Sequence, residues 1–143
     1  MIKEVLHNGQ LLALIVSAAY KSDGVEFLTP SSFPIQLGVV CHPESYVIRP
    51  HLHSDSPRQV TGTQEVLFLR KGKLRVDFFD DERNYLESRI LVAGDTILLV
   101  SGGHGFEAME EIEIIEAKTG PFMGDETKTR FEPVDPALIE IRE

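Results

Sequence analysis

EVLFLRKGKLRVDFF, residues 65–79, reads as two short β-strands divided by Lys71-Gly72. In the second half Leu74, Val76 and Phe78 share one face, and Lys73, Arg75 and Asp77 share the other. Strict alternation of this kind marks a strand with one buried and one wet face. The first half differs. Leu67 and Leu69 fall on the side of Glu65, while Val66 and Phe68 occupy the opposite side. Both faces of that strand therefore need cover. One side suits a pocket floor with Glu65 in it. The other must be hidden by N-terminal strands or by another subunit, which predicts a homodimer.

Working outward, short apolar runs alternate with turn residues along most of the chain. They predict strands over 11–17, 25–28, 35–41, 46–49, 65–70, 73–79, 86–92, 96–100, 105–109 and 112–117. The 46–49 strand is expected to run on into His51 and His53. Many short strands at this spacing indicate an all-β sandwich or barrel. No linker or repeat divides the chain, so residues 1–143 read as one domain, with N-terminal strands in 1–44 and the barrel portion in 45–118. The tail after Gly120 is polar. Pro133 and Pro136 frame a segment expected to pack along the outside, and 137–141 fits a short helix or strand equally well.

The apolar run LLALIVSAA, residues 11–19, is too short to span a bilayer. Lys3 and Glu4 cancel ahead of it, where a signal peptide needs net positive charge, so a buried strand is expected. Net charge is −9, which offers no basic surface for a phosphate backbone and disfavours nucleic acid as a partner. Cys41 is the only cysteine; it excludes an intramolecular disulfide, is compatible with a cytoplasmic location and reads as a small buried hydrophobe.

Chemistry concentrates in His51-Leu52-His53, Glu65 and His104. On a strand, residues i and i+2 point to the same side, roughly 7 Å apart at the backbone. Two imidazoles so placed, with a carboxylate and a third imidazole from neighbouring strands, form a three-nitrogen, one-oxygen set. Such a set suits a divalent transition metal: Zn, Mn, Fe or Ni. Three neutral imidazoles and one carboxylate leave that site at a net charge of +1, which favours an anionic or oxygen-chelating substrate.

The segment EVLFLRKG, following an HxH, resembles the first cupin motif. GDTILLVSGGH, residues 94–104, resembles the second. The similarity covers about 45–108. It departs from the usual pattern at Ser45, Val100 and Ala108, in the eleven residues between His53 and Glu65, and in the single residue between Gly102 and His104. It implies an all-β, cupin-like double-stranded β-helix, a jelly-roll barrel holding one divalent metal on His51, His53, Glu65 and His104. Cupins include isomerases, lyases, oxygenases, epimerases and non-enzymatic binding proteins, so the likeness does not select a reaction.

Around that centre, Arg49 shares parity with the His pair. Arg58 is placed on a mouth loop, where an arginine clamps carboxylate or phosphate. Leu67 would line the lumen, giving Arg49, Arg58 and Leu67 as substrate-binding candidates. Thr63 and Gln64 flank the carboxylate. Glu116 and Lys118 share a face with Ile112 and Ile114, and form a charge pair near the pocket if that face is inward. Glu107 has the parity opposite to His104 and should point away. Residues 102–105 form either an anion nest or a tight turn, and His7 and His42 read as structural.

Three functions fit. A metal-dependent enzyme on a small polar metabolite, of carbohydrate or sugar-acid type, leads. A non-catalytic small-molecule or sugar-binding cupin and a metal-free sugar-nucleotide epimerase-like cupin are the alternatives.

Overall fold

The computed structural model describes residues 1–143. Ten strands and two three-residue 3-10 turns follow in order. They are β1 (Ile2–His7), β2 (Gln10–Val16), β3 (Gly24–Phe27), β4 (Gly38–Cys41), β5 (Glu65–Lys71), β6 (Lys73–Phe79), β7 (Tyr85–Val92), β8 (Thr96–Leu99), β9 (Gly103–Ala108) and β10 (Glu113–Lys118). All named pairings are antiparallel. The five-stranded sheet runs β1-β2-β8-β5-β10, the three-stranded sheet β7-β6-β9, and β3-β4 forms a separate hairpin. No helix is long and apolar enough to cross a membrane.

The core lies between the two larger sheets. Val5, Leu12, Ala13, Ile15, Leu67, Leu69, Ile97 and Leu99 from one face Leu74, Val76, Phe78 and Leu91 from the other. Apart from Leu12, the extra residue at the β1–β2 bulge, these are the inward members of alternating strands, and each fully buried aliphatic or aromatic side chain contributes about 1.5–3 kcal/mol. Asp95 ties the sheets together. Its buried carboxylate accepts from the Ala18 and Val92 amides at 2.9 and 3.0 Å, joining the end of β2 to the β7–β8 turn.

Glycine is required at two turns. Gly72 has φ +83°, and a Cβ there would collide with the Glu111 carbonyl; Gly102 has φ +71° and meets the Phe79 carbonyl in the same way. The second turn aims β9 along β6, which sets the position of His104.

Four sequence expectations change. Strand β1 was not foreseen, because IKEVLH sends only Val5 into the core. Residues 46–49 are not a strand. Tyr46, Val47 and Ile48 are apolar enough for one, but Pro43 and Pro50 withhold two amide donors and no strand edge lies alongside. Residues 43–63 instead form an exposed arm without regular structure, with Leu52 98% exposed. β4 begins only at Gly38, since Gln36 turns back to donate to the carbonyls of Pro30 and Phe33. Within the tail, 136–138 is a 3-10 turn and Ile141 bridges β7 at Ser88.

The outer side of β5 is partly covered. Phe68 is 38% exposed and its ladder partner Ile115 is 53% exposed, so an apolar strip remains open there.

Candidate functional site

A cavity of about 1000 Å³ opens beside β9. Its floor comes from β5 and β10. In their ladder Lys118 stands opposite Glu65 and Glu116 opposite Leu67, so all four side chains share one face. His104 on β9 stands opposite the core residue Phe78 of β6 and therefore points to the inner side. The far wall is the segment 121–133, irregular apart from a 3-10 turn at Asp125–Thr127.

Glu65 and His104 meet at the centre. His104 Nε2 lies 3.2 Å from Glu65 Oε2, with the side chains 30% and 14% exposed. The His104 imidazole holds the Glu65 carboxyl below the usual carboxylate range. Burial opposes the shift, and the charges of Lys118 and Lys128 reinforce it. At neutral pH the floor thus carries an ionised carboxylate against an imidazole. Lys118 completes this group, with Nζ 3.9 Å from Glu116 and 5.7 Å above the Phe122 ring.

The cavity continues around the β9 edge onto the other face of β6. There Arg75 binds both oxygens of Asp77, at 2.8 and 3.0 Å, and reaches Glu107 at 2.5 Å. Glu107 points away from His104, as its parity requires. Ser88 donates to the same Asp77 carboxylate at 2.5 Å and also meets the Tyr85 hydroxyl, which receives the Glu140 amide. A continuous polar chain therefore runs from the C-terminal segment to the cavity wall. Phe131 anchors that wall, edge-on to Phe79 at 5.0 Å and close against Gly103.

The predicted site residues divide into two groups. Glu65, His104 and Leu67 line the cavity, as do Thr63, Glu116 and Lys118. His51, His53, Arg49 and Arg58 sit on the exposed arm and do not. The rings of His51 and His53 are 5.1 Å apart, and His51 Nδ1 donates to the Arg49 carbonyl at 3.0 Å. In this arrangement the four donors are not assembled, and no three His, Cys, Asp or Glu side chains converge as a metal site requires. Gln64 is buried on the side of β5 away from Glu65, and its Oε1 has no donor. His42 stacks on Tyr46 at 3.8 Å and His7 contacts Asn8, both away from the cavity.

Sequence reasoning missed the wall. Lys128, Arg130 and Phe131 all line the cavity, whereas the tail was expected outside. The signal available was two basic residues at i and i+2 followed by an aromatic, within a polar tail. Comparison with protein-family models, with curated proteins and with solved structures gives no match for this chain.

Proposed function

We propose that this protein is a cupin-like enzyme acting on a small polar metabolite, with Glu65 and His104 as its reacting centre. The observation that carries this reading is their 3.2 Å contact on the floor of a large cavity. An ionised carboxylate beside an imidazole fixes the ring, and a fixed imidazole can take a proton from one carbon or oxygen of a substrate and return it to another. That chemistry belongs to isomerases and lyases. The jelly-roll barrel and the carbohydrate or sugar-acid substrate rest on the resemblance at 45–108 and are analogy at the level of fold.

The test is proton exchange. Incubation with a panel of aldoses, ketoses and sugar acids in D2O should place deuterium on a substrate carbon, read by NMR. His104→Gln and Glu65→Gln should each lower the exchange rate by about 100-fold or more. Exchange that persists unchanged in both variants removes the assignment.

A metal-dependent form of this reading places one divalent ion on His51, His53, Glu65 and His104. The donors do not fit the ion as they stand, so no step is derived through it. The observation in favour is the exposed position of both arm histidines, with eleven residues of chain between His53 and Glu65. We further propose a homodimer through the open Phe68–Ile115 strip, tested by mass in solution. The single unpaired Cys41 supports a cytoplasmic location.

A further inference from the structure

We infer that the cavity takes an anionic ligand, a carboxylate- or phosphate-bearing small molecule, whose charged group is held by Lys128 and Arg130 on the C-terminal wall. This rests on the cavity being the functional site.

The argument begins with the charge partners. Among the acids of the lining, Glu65 meets His104, Asp77 and Glu107 meet Arg75, and Glu116 meets Lys118, while Glu132 at the end of the wall has no cation within 4.0 Å. Lys128 and Arg130 also line the cavity, yet neither has a carboxylate within 4.0 Å. Of the lysines and arginines in the lining, Arg75 and Lys118 are engaged by carboxylates, which leaves Lys128 and Arg130 as the cations open to a ligand.

Placement supports the same conclusion. The backbone at Lys128 is extended, with φ −95° and ψ 129°. Lys128 and Arg130 lie two residues apart, and both side chains line the cavity. Phe131 fixes that pair by packing on Phe79 and Gly103. Lys128 and Arg130 line the same cavity as Glu65 and His104. A ligand anion held at the wall would therefore present its remaining atoms towards Glu65 and His104. The Arg130 guanidinium offers a planar fork that matches carboxylate or phosphate oxygens, and Lys128 adds a point charge.

The test uses the full chain and amide NMR, with inorganic phosphate as probe and D-gluconate against D-sorbitol as a matched charged and neutral pair. Phosphate should give saturable shifts centred on 127–131 and Lys118, and gluconate should bind at least about tenfold more tightly than sorbitol. The Lys128→Gln, Arg130→Gln double variant should weaken phosphate by about tenfold or more. Its side chains are exposed, and its unchanged amide spectrum elsewhere would confirm folding. The inference is overturned if phosphate gives no saturable shift up to about 100 mM, a range reaching far below millimolar-class affinity. Saturable shifts that survive the double variant overturn it equally. The two readings separate in His104→Gln. Loss of exchange with phosphate shifts retained supports both, and phosphate shifts without exchange on any substrate leave the anion site standing while the reaction falls.

Discussion

Arg75 and Asp77, two residues apart on β6, close a two-pronged ion pair with both side chains nearly buried. Alternate residues on a strand point the same way, which lets the arginine fork lie along the strand against the carboxylate. Removing one partner leaves the other charge buried. Asp77→Ala is expected to destabilise the protein by about 3 kcal/mol, whereas a paired Arg75→Met, Asp77→Leu replacement should cost much less. Urea midpoints of the two single variants and the double variant check this, and simple additivity would show that the pair is not coupled.

Acid should act through Glu65. Its carboxyl titrates below the ordinary Glu value of 4.5 in the folded protein, with His104 as the main cause. A depressed folded pKa means that the unfolded chain binds the proton first. The stabilisation is therefore complete above the unfolded value and is lost as pH falls through the lower folded one. Wild type should exceed Glu65→Gln in stability at neutral pH, with the gap closing below about pH 4.5, where carboxylates protonate. A gap that stays constant from pH 7 down to pH 3 would falsify the coupling.

Asp95 offers a test of the link between sheets. Its buried carboxylate satisfies two partly buried amide donors from separate parts of the chain. Asp95→Ala removes both acceptors and is expected to cost about 1–2 kcal/mol; Asp95→Asn, which keeps an acceptor oxygen, should cost less. Thermal unfolding of the two variants ranks them, and equal losses would mean that shape rather than hydrogen bonding governs the site.

How much of this was legible in the sequence depends on periodicity. β6 announces itself because Leu74, Val76 and Phe78 alternate with polar residues, and all three are buried. The floor of the cavity was legible for the same reason: the parity that buries Leu67 and Leu69 also carries Glu65 inward. Tyr46 to Ile48 misled because apolar composition resembles a strand, whereas a strand also needs a hydrogen-bonding neighbour. The wall at 121–133 was illegible for the converse reason. It is mostly irregular chain held by Phe131 against Phe79 and Arg83, and such tertiary anchoring has no period to read. Pairing between Arg75 and Glu107 needed the β6–β9 register, which only the fold supplies.

The arm makes the last prediction, because it carries two of the four expected metal donors away from the other two. His53 and Glu65 are separated by eleven residues, and extended chain spans about 3.3 Å per residue, so the arm is long enough to bring His51 and His53 to the cavity. If a divalent transition metal joins the four, uptake should approach one equivalent and should fall sharply in both His51→Ala and His104→Ala, because each deletion removes a nitrogen ligand. His42→Ala, which disturbs only a stacked ring beside Tyr46, should take up metal like the wild type. Elemental mass spectrometry on protein purified without a metal column reads the stoichiometry, and protection of the arm from limited proteolysis reads the closure. Metal bound in full by His51→Ala would place the ion elsewhere. No uptake of Mn, Fe, Ni or Zn by the wild type would leave Glu65 and His104 as an acid–base pair that works without one.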